Sequence, residues 1–263
     1  MGEKKRLRLA WETAKGKWKL SLIITIIFVG FAALYVGMYP SFEDMMGQIA
    51  EMDLKFIRGF SSLGTYEGFL NMELYQIFWI LVLPVLIAYV AGSLISEEIE
   101  SGTIDLLLSN PISRKRIVLE KFLGILPMIL LVTFATMGSV YGMSLFIGEE
   151  ISLTNLFLTH LWSVPYFLSI AGISLFVSTV VDKKMKSSII GMAFVVAMYL
   201  IESVSQLTPD YDKMGVISIV NYFDPSDLLV NGEMSLVDPI ILAIITLVSV
   251  SCAVFYFDRR DIT

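Results

Sequence analysis

Cysteine and histidine are almost missing from this 263-residue chain, which has one of each, Cys252 and His160. A lone cysteine excludes an internal disulfide framework and a cysteine-rich metal site, and a lone histidine makes a histidine-rich one implausible. Charge is scarce too: Asp, Glu, Lys and Arg make up 17%, where a soluble domain carries about a quarter. No Gly-rich phosphate loop ending in Lys-Ser or Lys-Thr occurs, so that route to nucleotide hydrolysis is closed. No internal repeat or low-complexity tract is visible. Hydrophobic residues, by contrast, are 56% of the chain, and the mean hydropathy is +0.75. This balance excludes a disordered protein, a collagen-like one and an ordinary soluble enzyme. A bilayer span needs about 20 apolar residues, and the chain has room for six. The expected class is an all-α integral membrane protein with one transmembrane domain over 1–263.

The apolar runs predict spans at about 20–39, 74–95, 117–147, 157–181, 188–207 and 239–257. The first is too long for an ordinary signal-peptide core and lacks a small-x-small cleavage pattern, so it is expected to be retained. Pro40 is expected to end it. Pro84, Pro127 and Pro165 lie in later spans, where proline is tolerated because neighbouring helices re-satisfy the freed backbone groups. Six spans put both termini on one side. Sixteen of the nineteen Lys and Arg residues fall on that side, leaving Lys55, Arg58 and Lys213 on the other. Both termini are therefore expected in the cytoplasm, with the chain crossing the cytoplasmic membrane. The net charge of −6 hides a separation. The cytoplasmic segments carry ten acidic residues against those sixteen bases, and the external segments fourteen against three.

Residues 4–19 have the pattern of an amphipathic helix: Leu7, Trp11, Ala14 and Trp18 recur at helical spacing, with Lys15, Lys17 and Lys19 on other faces. Such a helix can lie in the plane of the inner interface; the alternative is a basic leader that only sets orientation. A second amphipathic helix is expected outside at 41–60, with Phe42, Met45, Met46, Ile49 and Phe56 on one face. Its Met-rich face is read as burial against lipid or neighbouring helices rather than as a soft-metal surface.

The segment 97–114 carries the most information. Glu97, Glu98 and Glu100 close span two at the water boundary. Gly102 permits a turn, and Ser101 or Thr103 can cap a helix starting there. Ile104–Leu108 forms a short apolar turn of helix, and Asn110-Pro111 stops it. A bare apolar helix on the cytosolic surface is costly, so it is read as a knob set into a partner, or else as a hairpin whose leucines dip into the interface.

The run Glu97-Glu98-x-Glu-x-Gly102-Thr103-x-x-x-Leu107-Leu108-x-x-Pro111-Ile112-Ser113-Arg114, followed by Lys121-Phe122-Leu123-Gly124, resembles the coupling segment of type-2 ABC exporter permeases. Thr65-x-Glu67-Gly68-Phe69-Leu70 is similar to an external loop of the antibiotic or multidrug branch. Tyr222-Phe223-x-Pro225 with Leu228-Leu229 and Gly232 is similar to the family's external segment before the last span. The permease serving copper-site maturation of nitrous oxide reductase is a related alternative. The resemblance implies a six-span subunit with an in-plane N-terminal helix, pairing with a second permease copy, either identical or a sister subunit. It also implies two separate ABC ATPase subunits, which would hold the ATP and Mg²⁺, and membrane lipid around the chain. No cofactor or metal is expected on this chain, and no nucleic acid. The implied activity is ATP-driven export of a hydrophobic or amphipathic small molecule, drug, lipid or peptide. The coupling residues implied are Glu97, Glu98, Glu100, Gly102, Thr103, Asp105, Leu107, Leu108, Pro111 and Arg114.

Glu202 is the one ionisable residue lodged within a span, and a mid-membrane charge costs about 2.5–3.5 kcal/mol on insertion scales. It should face the bundle or a cavity, with Tyr199 on its face and Gln206 beside it. These three are the candidate substrate-path residues. A secondary transporter or channel using Glu202 is the competing class, although such a protein should show repeat symmetry and more intramembrane charge. His160 is read as an interfacial boundary residue near Trp162. It cannot complete a prenyl-endopeptidase site with Glu97, because the spacing differs and the two fall on opposite sides of the membrane.

Overall fold

The computed structural model describes residues 7–51, 65–109, 112–207, 211–233 and 235–260, without the side chains of 43–51, Leu106, Leu108 and Asp212. Among them the chain is helical throughout its regular structure, with no strand. Six helical stretches are long and apolar enough to cross a membrane: Arg8–Phe42, Tyr66–Gly92, Arg114–Ile147, Leu153–Val180, Lys184–Ser205 and Val237–Arg259.

The first helix, α1, runs from Arg8 to Glu51 without interruption. The boundaries expected near 19 and 39 have no counterpart in the backbone, and Pro40 sits inside the helix. Proline removes one helical N–H and crowds one carbonyl, but the turns on either side of Pro40 remain helical. Residues 8–19 of the basic segment and residues 41–51 thus lie in one continuous helix with span one, and residues 4–6 lie outside the described residues. Residues 52–60 of the expected external helix lie outside the described residues.

Span two is composite. It comprises α2 (Tyr66–Leu70), a π-helical stretch Asn71–Val82, and α3 (Leu83–Gly92). It starts eight residues before the expected position, because Thr65 caps it: its hydroxyl oxygen accepts from Gly68 N at 3.1 Å. Pi-helical turns are rare and are enriched at functional sites. This one ends at Val82, two residues before Pro84, which has no N–H to offer the Ile80 carbonyl one turn back. The Tyr166 hydroxyl on span four donates to that carbonyl at 2.7 Å.

Two short helices come next, α4 (Ser96–Glu100) and α5 (Thr103–Leu108). Span three breaks into α6 (Arg114–Leu123) and α7 (Leu126–Ile147). Spans four, five and six are α8 (Leu153–Val180), α9 (Lys184–Ser205) and, after α10 (Asp212–Gly215) and α11 (Pro225–Leu229), α12 (Val237–Arg259). α8 holds the centre, packing on α12, α3, α7 and α9, while α1 packs on α7. The core is aromatic: Trp79 meets Phe28, Tyr75, Phe167 and His160 edge-on.

His160 is fully buried, with its ring 4.9 Å from that of Trp79 and its Nδ1 2.8 Å from the Leu156 carbonyl oxygen. The expectation of an interfacial boundary position is therefore corrected. The residue lies on the face of α8 that meets span two, which a lone histidine near a tryptophan does not reveal.

Candidate functional site

Two polar regions stand at opposite ends of the bundle. One, the basic end, gathers the start of α1, the α4–α5 segment, the start of span three, the start of α9 and the end of α12.

At this end the acidic residues expected to face a partner are engaged within the chain. Glu97 receives Lys17 of α1 at 2.8 Å and Lys184 of α9 at 2.6 Å. Burial raises the Glu97 carboxyl, but the hydrogen bonds and charges of these two lysines outweigh it and hold the group below its ordinary value. Glu98 pairs with Lys121 of α6 and accepts from the Thr103 hydroxyl. Burial raises it as well, and Lys121 and Thr103 more than offset that. A Glu100 carboxylate oxygen accepts from the Lys184 backbone N–H at 2.7 Å. The α4–α5 segment is therefore fastened to α1, span three and span five together.

Gly102 occupies the cap position of α5 at φ 71°, the left-handed region that favours glycine. No side chain caps that helix start. Ser101 instead donates to the Glu97 carbonyl at 2.7 Å, and Thr103 turns back to Glu98. Asp105 is exposed, and Leu107 is half-buried. Leu107 lines a cleft of about 330 Å³ with Thr13, Lys17, Glu98 and Lys121. Asn110 and Pro111 lie outside the described residues. Arg114 does not join this group: its guanidinium donates to the carbonyls of Phe257 and Arg260 at the end of α12.

The start of α1 is anchored by Glu120, a residue with no expected role. Its carboxylate accepts from the backbone N–H groups of Leu9, at 2.8 Å, and Ala10, at 3.3 Å. These are among the orphan donors of the helix start, and Arg116 pairs with the same carboxylate. Gly124 completes the contact. A Cβ there would stand 2.6 Å from the Thr13 Cβ and 2.9 Å from the Ala10 carbonyl oxygen.

The other region, the acidic end, holds a cavity of about 380 Å³ between the π-helical stretch, the end of α9 and residues 220–231. Tyr199, Glu202 and Gln206 all line it, so the three candidates expected from the sequence meet in one place. Glu202 is 7% exposed and accepts from the Gln206 amide at 3.0 Å. Asn71, Asp224, Asp227 and Asn231 complete the wall. No motif marked them, because their convergence depends on how residues 220–231 fold back. The described residues contain no cluster of three or more His, Cys, Asp or Glu placed to hold a metal ion.

Six apolar helices, their charges gathered at the two ends and a polar cavity between spans define a multi-pass membrane permease. The chain belongs to the ABC-2 family of transporter proteins, whose model matches residues 13–262. No curated protein matches it. Membership makes this a transport membrane subunit, not itself catalytic, and implies ABC ATPase subunits as partners.

Proposed function

We propose that this chain is the permease subunit of an ATP-driven exporter in the cytoplasmic membrane, working with a second permease copy and two ATPase subunits. The observation that carries the reading is the fastening of α4–α5 to three other elements through Lys17, Lys121 and Lys184. A push on α5 by a closing ATPase pair would reach α1, span three and span five at once. Glu97, Glu98, Glu100 and Thr103 then act as the rigid mount, while Asp105, Leu107 and Leu108 form the docking knob and Gly102 and Pro111 shape its ends. Arg114 ties the start of span three to the end of span six. ATP and Mg²⁺ belong to the partner.

The basic end is the cytoplasmic one, as the lysine and arginine bias supports. The start of α1 lies at the inner interface, with exposed Trp11 and Trp18 at headgroup depth. The acidic-end cavity with Tyr199, Glu202 and Gln206 is part of the substrate path. The cargo is a hydrophobic or amphipathic small molecule, drug, lipid or peptide, in keeping with the antibiotic or multidrug branch.

The test is a Leu107→Asp/Leu108→Asp variant purified from cells expressing the ATPase. Loss of ATPase co-purification and of ATP-driven vesicle transport is expected, with helix content and elution profile kept. Unchanged co-purification and transport would sink the reading.

A further inference from the structure

A groove of about 450 Å³ runs between α6 and α12 at the basic end. Its walls follow helical spacing. Lys115 and Leu119 stand one turn apart on α6. On α12, Val250, Val254 and Asp258 form one stripe, and Ser251, Phe255 and Arg259 form its neighbour. Each stripe passes from apolar or small side chains to a charged one. The groove therefore has an apolar floor and a charged mouth, and the mouth sets two cations, Lys115 and Arg259, against the single carboxylate of Asp258.

The neighbouring arginines are spent on the fold. Arg114 donates to the carbonyls of Phe257 and Arg260, and Arg260 pairs with Asp182. These bonds fix the end of α12 against the start of α6, so the groove is built into the packing. Arg259 differs. Its guanidinium lies 3.9 Å from the centre of the Phe255 ring, and it makes no ion pair or hydrogen bond among the described residues. A guanidinium resting on a ring is held in place with its five donors unspent. Lys115 reaches Asp258 at 3.4 Å, but both side chains are exposed, so this pair is weak and opens readily. The floor is exposed as well: Leu119 and Phe255 are large apolar side chains open to the surroundings, and the same face of α12 stays apolar and exposed through Ile244, Leu247 and Val248.

We propose that this groove binds an anionic glycerophospholipid, its phosphate held by Arg259 and Lys115 and an acyl chain laid along Phe255, Ser251 and Leu247. The guanidinium fork matches phosphate oxygens in pairs. A free phosphate has the same chemistry but no use for the apolar floor. A zwitterionic head group brings its own ammonium to a mouth that is already net positive, so charge selects the anionic lipid. Basic pockets between membrane helices hold such head groups on the side where lysine and arginine gather. The inference goes beyond the exporter reading and needs only that α12 crosses the bilayer.

The experiment is native mass spectrometry of the full chain released from detergent, after titration with dioleoyl-phosphatidylglycerol. Dioleoyl-phosphatidylcholine and ammonium phosphate are run alongside at matched concentrations. Saturable retention of phosphatidylglycerol is expected, with weaker retention of phosphatidylcholine and no displacement by phosphate. Lys115→Gln/Arg259→Gln should weaken retention by about tenfold or more, as the loss of two bases beside an anionic head group does. Lys115→Arg/Arg259→Lys keeps the charges and should keep the binding, which separates lost charge from lost fold. Ser251→Trp keeps every charge but fills the groove, and should also weaken retention. Lys183→Gln/Lys186→Gln removes as much charge from exposed positions at the same end and should change nothing. Equal retention of phosphatidylcholine, displacement by phosphate, or an equal loss in Lys183→Gln/Lys186→Gln would overturn the proposal. So would unchanged retention in Ser251→Trp, or a lipid-free dimer that Ser251→Trp breaks, which would assign the groove to a second copy of the chain.

Discussion

The two ends of the bundle use carboxylates in opposite ways. At the basic end Glu97, Glu98 and Glu120 are matched to cations or to backbone donors from other elements. At the acidic end Glu202, Asp224 and Asp227 share a cavity whose wall, among the described residues, carries no basic side chain. An acid met by a cation from another helix fixes the position of that helix. The acids around the cavity bond instead within their own elements, Asp224 to Ser226 and Glu202 to Gln206. The same residue type ties separate elements together at one end and lines a cavity at the other, and the difference lies in what the neighbouring elements bring.

The strongest way to break this comparison is to reverse one framework charge. Glu97→Lys sets three cations against one another and should abolish ATP-driven vesicle transport, while leaving the helix content of the purified chain intact. If transport survives, the fastening is not structural. The steric half of the basic end is sharpened by Gly124→Val, which overpacks the contact with Thr13 and Ala10. It should lower resistance to SDS unfolding by about 1–3 kcal/mol, and an unchanged midpoint would mean that α1 is free to shift away. Tyr166→Phe removes the donor to the Ile80 carbonyl and should cost about 0.5–1.5 kcal/mol in the same assay. A cost of zero would show that the π-helical stretch supplies its own donors.

The smallest effect is that of pH. Glu97 and Glu98 are held below their ordinary value of 4.5, so the stability they contribute is present above that value. It is lost as pH falls through their lowered folded values. Proteolysis of the α4–α5 segment in nanodiscs should stay slow at neutral and mildly acidic pH and quicken only below the ordinary carboxylate range. Quickening at pH 6 would contradict the pairing.

Much of the architecture could be read in the chain because membrane spans are written in long apolar runs, and hydrocarbon demands helices. All six spans appear where those runs lie. Their ends were harder to place. The start of span two at Tyr66 depends on a cap by Thr65, and the continuity of α1 across Pro40 overrides a proline that reads as a stop. In the 97–114 segment, the helix at Thr103–Leu108 and the turn at Gly102 were legible from composition. The partners of Glu97 and Glu98 were not, since Lys17, Lys121 and Lys184 are scattered along the chain and look like topological charges. At the acidic end, Tyr199, Glu202 and Gln206 share a helical face, and spacing alone joins them. Asn71, Asp224 and Asp227 come from other elements and enter only through the fold.

The unbroken α1 has a mechanical consequence. Between Lys17, which grips Glu97, and Tyr39, whose ring lies 4.8 Å from that of Tyr66, the helix contains no proline. At 1.5 Å per residue this stretch is about 33 Å long, close to the roughly 30 Å hydrocarbon thickness. It forms a strut with one contact to α4, just beyond the end of span two, and another to Tyr66 at the start of span two. On the proposed coupling, a tilt of α4 at one end of the bundle would be delivered by the same rod to Tyr66 and Phe69, where span two begins, at the other end. The π-helical stretch lies between these two contacts and meets the same rod through Phe28, Phe31 and Tyr35, which pack on Trp79 and Phe78, so a movement of the strut would bear directly on its winding.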